Sequence, residues 1–595
     1  MDEDDDAPAA PGDDAARERW PLLEDDDAPA TVVARAMDAP KQRDVAGARD
    51  DGMLGFYLQY FAVGVIYGGL PSTVYGFFLG YLNVEGYVYA TAATIITMPW
   101  SFKFFFGAIN DCFPIAGYRR KPYMVFGWAL CAAALLRLAT LPLPPPYWCV
   151  EGRAYVRTVE TADGGVEAAE PCNPDAAKAG GGYALLMMVA ALGYCLADVA
   201  ADGLTVQLAR AESEKTRGRT QTTVYLVRTL GNVVATAVVG LCMNSWEYNG
   251  SFDRGLSFPA VMGLFALPAA AMVPVSWLLV KETKVIFLDP PLHADRKKAG
   301  EEAAHAAPEP PAGMAYEDRR TIAEYCGQVW ELLRGRAMLS VILFQFCGTV
   351  IGGISTTASG EVKQYWAGVK TFQNACFSLV GLALFAAGLS LVRARFLGAS
   401  WRLMLAATTI FLNVVDAPFA FFTIFDVVRN QYFYLGETVL VEIPAAANFV
   451  VATFVIVEMA EGGDEGVVYG LLTTTANLGG PFAQVISNQL FGLWRPSLSN
   501  SANYIEDSAS FRRSVAWSFA ISYFFSFLSL ATLPLLPDQK AQAQERKRTW
   551  EKRDAYAYAS LSIVGFGLLY SVTVNSLAMF PATMCLKLAG GDGCG

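Results

Sequence analysis

The hydrophobic positions of this chain fall in long runs, each about 20 residues or more, broken by short polar stretches. A run of that length suits a helix crossing a ~30 Å hydrocarbon core at a rise of about 1.5 Å per residue. The pattern predicts helices over residues 53–80, 86–110, 121–142, 182–209, 219–244, 257–280, 337–359, 371–392, 402–425, 433–459, 466–491 and 511–536. A thirteenth candidate, over 556–580, is uncharged and either spans the bilayer or lies at its interface. Helices are expected because backbone polar groups in lipid must be satisfied within the segment, and the alternating segments of about ten residues that build a membrane barrel are absent. Gly and Pro punctuate the runs, as in Gly68-Gly69-Leu70-Pro71 and Met98-Pro99-Trp100, where small residues permit close helix contact and proline permits a kink. The expected fold class is an all-α, polytopic membrane bundle of twelve core helices in two six-helix halves.

The polar stretches set the domain plan. Residues 1–52 read as a disordered acidic cytosolic tail, 53–280 as the amino-terminal half and 281–336 as a cytosolic linker with low-complexity stretches. Residues 337–536 read as the carboxyl-terminal half, 537–555 as a basic cytosolic linker, and 556–595 as the extra helix and its tail. Two six-helix halves joined by a long linker is an architecture that transporters use.

Composition strengthens the membrane reading. The 595 residues are 54% hydrophobic and 17% charged, with a mean hydropathy of +0.32, against roughly 45–50% and 25% for soluble domains. The net charge of −11 is largely local, carried by Asp-rich segments such as Met1–Ala10 and Leu23–Pro29, so it points to no nucleic acid or other polyionic partner. That tail has no apolar core of a signal peptide and is too acidic for a transit peptide, which leaves the first helix as the targeting signal. Basic residues crowd into alternate loops: Arg119, Arg120 and Lys121; Arg210, Lys215, Arg217 and Arg219; Arg393, Arg395 and Arg402; and the two linkers. This bias places the amino terminus in the cytosol, in a plasma or organelle membrane. Asn249-Gly250-Ser251, a glycosylation sequon, and the pair Cys149 and Cys172 then fall outside, where a glycan and a disulfide are chemically permitted. Two free thiols are the alternative for the cysteines. Both histidines, His293 and His305, lie in the central linker, and no metal-ligand spacing appears.

The chemistry is expected where charge enters the apolar runs, because such charges are costly and usually face a cavity or a partner. Lys103 lies on the second predicted helix, Asp198 and Asp202 on the fourth, and Arg228 on the fifth. From the cytosolic helix ends their depths come to about 11, 16, 10 and 14 Å, one layer of the bilayer. Asp198 and Asp202, four apart, share a helix face. In one reading Lys103 or Arg228 binds an anionic substrate group, while Asp198 or Asp202 couples a proton. In the other, the four form a buried ion-pair network that holds helices together. Asp416, next to Pro418, is a candidate polar site in the second half. Arg137 suits snorkelling, and Glu442 and Glu458 lie nearer helix ends. Tyr60, Tyr67 and Tyr75 on the first helix suit either packing or stacking on a flat ring. Asp111 ends the second helix, where the macrodipole disfavours an acid. Arg119 and Arg120 nearby offer a conformational lock, or serve topology alone.

The stretch Pro99-Trp100-Ser101-Phe102-Lys103 through Asp111, continuing as Pro114-Ile115-Ala116-Gly117-Tyr118-Arg119-Arg120-Lys121-Pro122-Tyr123, resembles the signature of the folate-biopterin transporter family of the major facilitator superfamily. Asp198-Val199-Ala200-Ala201-Asp202-Gly203, followed by Arg217-Gly218 and Gln221, is a second match. Glu465-Gly466 with Asn477-Leu478-Gly479-Gly480 is a third. Phe104-Phe105 departs from the signature, as do the acidic tail and the thirteenth segment. The resemblance implies a proton-coupled secondary transporter of folate, biopterin or a related pteridine, working by alternating access without a cofactor. The residues alone imply a transporter of some polar or anionic solute, monomeric in the bilayer, with protons and a small molecule as partners. No ATP-binding GxxxxGK[ST] loop is present. A polytopic membrane enzyme is a remote alternative, since no histidine or compact acidic motif stands at a helix mouth. A receptor or scaffold needs no opposed charges at one depth.

Overall fold

The computed structural model describes residues 43–162, 164–210, 219–288, 314–318, 321–396, 398–459 and 465–594. His293, His305, Lys215, Arg217, Gly218 and most of the acidic tail lie outside them. Of that tail, residues 43–52 are described and are helical. The chain from Met53 onward is a unit of its own.

Among the described residues, twelve helices are long and apolar enough to cross a membrane. They are α1 (Met53–Tyr81), α2 (Gly86–Cys112), α3 (Lys121–Thr140), α4 (Asp175–Arg210), α5 (Arg219–Cys242), α6 (Phe258–Leu278), α7 (Arg336–Gly353), α8 (Thr371–Arg395), α9 (Trp401–Ile424), α10 (Gln431–Met459), α12 (Ala509–Leu528) and α13 (Asp554–Leu577). Between α10 and α12, α11 (Glu465–Phe491) has the length, but its Thr473, Thr474, Thr475, Asn477, Gln484 and Asn488 make it more polar than the rest. The chain is thus an integral, multi-pass helical protein of the expected class.

Two departures from regular helix follow from local sequence. Pro99 turns residues Met98–Phe102 of α2 into a 3₁₀ segment. α7 stops after Gly352-Gly353, and a second helical piece runs over 359–366. In the gap, the amides of Ser355 and Thr356 donate to the hydroxyls of Ser487 and Ser522 at 3.0 and 2.9 Å, replacing the lost helical acceptors. α7 therefore ends earlier than the predicted 359, and α4 begins seven residues before the predicted 182.

The central linker is more structured than low-complexity sequence suggests. Lys284–Leu288 pairs in parallel with Met314–Asp318, and Ile322–Leu333 forms a helix opened by a Thr321–Glu324 capping box. That helix buries Tyr325, Val329 and Leu333. α13 packs along α11, with the Asn575 amide donating to Pro481 at 3.0 Å and that of Gln489 to the Tyr570 hydroxyl at 2.8 Å. Arg334 pairs with Asp554 at 2.7 Å, fixing the start of α13 to the linker. Disulfides join Cys149 to Cys172 and Cys585 to Cys594. Both lie at the end of the bundle opposite the basic loops.

Candidate functional site: an ion cluster inside the first half

α5 approaches α1 along a seam of glycines. A side chain on Gly64 would strike the Arg228 carbonyl, one on Gly68 the Asn232 side chain, and one on Gly231 the Phe61 carbonyl. This close approach carries the Arg228 guanidinium to the interior, where it is 17% exposed. The 3₁₀ segment of α2 turns Trp100 and Lys103 toward the same place. On α4, Asp198 and Asp202 face it one turn apart.

The four charges meet. Lys103 Nζ lies 2.9 Å from Asp198 Oδ2 and 3.0 Å from Asp202 Oδ2, and Arg228 Nη1 lies 3.8 Å from Asp198 Oδ1. Asp198 is fully buried, whereas Asp202 is 34% exposed. The Tyr60 hydroxyl donates to Asp202 Oδ1 at 3.0 Å and shares a 2.6 Å bond with Thr205. Two cations and two carboxylates give a formally neutral cluster, the state in which buried charge costs least.

Trp100 lies against both cations: Lys103 Nζ is 4.3 Å and Arg228 Cζ 4.7 Å from its ring centre. Tyr67 covers the guanidinium from another side at 4.8 Å and meets Trp100 edge-on. The Trp100 indole N–H donates to the Tyr194 hydroxyl at 3.1 Å. Sequence reasoning does not single out Trp100 and Tyr194 as site residues; the signal for the first is the Trp100–Lys103 spacing across a proline-broken turn.

The three tyrosines of α1 part company. Tyr60 and Tyr67 join the cluster, while the Tyr75 hydroxyl donates to the Val369 carbonyl at 2.7 Å at the disulfide end. Asn249 is there too, buried, in a left-handed conformation with φ 56°. Its amide nitrogen donates to Val369 at 2.8 Å, and its carbonyl accepts from Lys370 at 3.3 Å. A glycan on that nitrogen would displace these bonds, so in this fold Asn249 clamps the halves together.

At the opposite end Asp111 pairs with Arg120 at 2.6 Å. The Arg120 guanidinium packs on Gly203, where a Cβ would meet its Cζ at 2.5 Å; this gives the glycine of the Asp198–Gly203 motif a physical role. Glu282, which nothing in the sequence marks out, accepts from the backbone N–H groups of Arg119, Arg120 and Lys121, each at 2.9 Å. Arg119 contributes its backbone to this knot, and Asp111 pairs with Arg120.

In the second half, Asp416 accepts from the Tyr523 hydroxyl at 2.6 Å and lines a cavity of about 390 Å³ with Glu437, Asn413, Asn448, Thr409 and Ser526. It does not reach the ion cluster. Arg137 is exposed, Glu442 faces Gly381 of α8, and Glu458 pairs with Lys540 at 2.9 Å.

The chain is a two-half helical bundle with opposed charges buried in one half. Solved structures agree on the fold. A D-xylose-proton symporter matches at 10% identity and TM-score 0.51, covering 82% of this chain and 98% of that one. The xylose transporter XylE from E. coli, inward open, matches at 11% and 0.50 over 83% and 99%. A mutant of the peptide transporter POT in complex with sulfate matches at 13% and 0.51 over 86% and 100%. No curated protein matches the chain. The protein belongs to the BT1 family, whose model matches residues 64–147 and 177–555 and which includes folate-biopterin transporters.

Proposed function

We propose that this protein is a proton-coupled secondary transporter of folate, biopterin or a related pteridine. The observation that carries the reading is the cation pair Lys103 and Arg228, held by two acids and faced by Trp100 and Tyr67. A folate carboxylate takes the place of Asp202 on Lys103, and the flat pterin, which biopterin shares, lies against the aromatic wall. Asp202, the more exposed acid, then loses its counter-charge and takes up a proton. Anion and proton thus load together, with no net charge added to the site.

With the basic loops in the cytosol, the disulfide end faces away from it. Alternating access then parts the halves at the Asn249–Val369 clamp at one end, while the Asp111–Arg120 knot, which lies within the first half, holds the corner between α2 and α3 at the other. The test is accumulation of radiolabelled folate and of biopterin in transport-deficient cells, with and without an inward proton gradient. Uptake of either, lost on adding a protonophore, is the expected result. Accumulation of neither would remove the pteridine assignment and leave another organic anion as cargo.

A further inference from the structure

Bonds between the two halves gather at the disulfide end. Asn83, in the turn between α1 and α2, donates to the Ser501 hydroxyl at 3.0 Å and accepts from the Tyr365 hydroxyl at 2.6 Å. The Gln364 amide reaches the Leu79 carbonyl at 3.2 Å. Between these contacts, on the helical piece that continues α7, lies Glu361. It is fully buried, and neither carboxylate oxygen has a hydrogen-bond partner among the described residues.

A carboxylate in that position would be an uncompensated buried ion, costing far more than a neutral acid. Among the described residues, Arg157 is the one cation that acts on it. Arg157 comes from the hairpin loop after α3, and its guanidinium lies over the Tyr365 ring. Glu85, at the start of α2, is a second acid. Tyr89, Tyr365 and Tyr504 complete the titratable surroundings. Lys363, two residues on, turns away to Asn374 at 2.6 Å. Burial, with Glu85 adding to it, holds the Glu361 carboxyl well above the ordinary range, and Arg157 offsets this only in part.

We propose that Glu361 is a second proton site, occupied whenever the disulfide end is closed and emptied to water when the halves part there. This rests on the transporter reading but not on the cargo. The closed state binds the proton more tightly than the open one, so acid favours closure and rising pH favours opening. The site makes the resting direction of the carrier depend on the pH of the compartment beyond the disulfide end, separately from any proton taken at Asp202.

The test needs no substrate. Spin labels go on Leu256→Cys and Val427→Cys, two exposed positions on opposite halves at that end, in purified full-length protein. Their distance distribution is recorded across the range from about pH 4 to about pH 9, which brackets an acid raised by burial. A short distance in acid that lengthens as pH rises is expected, with Glu361→Gln fixed at the short distance throughout. Glu85→Gln removes the neighbouring acid and should move the wild-type transition to lower pH, which keeps the proposal testable if Glu361→Gln fails to fold. A distance indifferent to pH, or a Glu361→Gln protein that opens as the parent does, overturns it. If folate and biopterin uptake both fail while the distances behave as described, the cargo assignment falls and the proton site stands.

Discussion

The two halves treat buried acid differently. In the first, Asp198 and Asp202 are matched by Lys103 and Arg228 at 2.9 to 3.8 Å, and aromatic rings seal the cations. In the second, Asp416 has a tyrosine hydroxyl, and it shares with Glu437 a cavity into which no cation intrudes as an ion-pair partner among the described residues. A matched cluster can exchange one of its own carboxylates for an external one at little cost in charge. An unmatched acid beside a cavity cannot hold an anion. On the proposed function, the first half is therefore the one that would bind an anionic group, and the second would supply shape and polar contact.

The sharpest way to break that contrast is Asp198→Ala. It leaves two cations facing a single acid, and removing one member of a buried ion cluster costs about 3–5 kcal/mol. Thermal unfolding in detergent should show a much less stable protein, while Asp416→Ala should unfold near the parent. Next comes Lys103→Met, which strips a cation from the same cluster and should cut uptake per molecule at the surface at least tenfold, a loss of about 1.4 kcal/mol or more, over and above its loss of stability. Uptake per molecule that stays at the parent level would mark the cluster as a scaffold. Trp100→Leu removes a ring that contacts both cations, worth about 1–2 kcal/mol when desolvated; a several-fold rise in KM for folate is the expected reading. Asp111→Asn should weaken the basic-end knot by about 1 kcal/mol and raise the rate at which a thiol probe reaches that end, and the swapped pair Asp111→Arg with Arg120→Asp should restore it. Smallest is Asp416→Asn, which keeps an acceptor for Tyr523 and should alter uptake less than about threefold, under 1 kcal/mol. A larger loss would mean that both halves hold substrate charge.

Much of this is legible in the sequence because the bilayer simplifies the problem. Charge is so costly in lipid that Lys103, Asp198, Asp202 and Arg228 have to find one another, and helical rise puts them at one depth. The element ends are less legible. α4 starts seven residues early, and α7 breaks over residues 354–358, where hydroxyls from α11 and α12, remote in sequence, satisfy the Ser355 and Thr356 amides. Glu282 and Glu361 are hidden for opposite reasons. The first sits in a polar linker where one acid among many gives no signal. The second lies past the end of an apolar run and is buried by neighbours from both halves, remote in sequence, among them Tyr89 and Tyr504. Asn249 makes a related point about motifs, since a sequon says nothing of whether its nitrogen is already engaged.

α13 is fastened at its start to the linker and along its length to α11. Beyond it, the tail crosses to the other half: Tyr87 donates to the Met584 carbonyl at 2.8 Å, and Gly181 leaves room for the Met579 backbone. The segment therefore forms a strap, anchored to one half and joined to the other by a short loop that the Cys585–Cys594 disulfide closes. In the proposed alternating access, a swing that separates the halves at this end would have to slip that buckle first, and the thirteenth helix would set a threshold on the stroke.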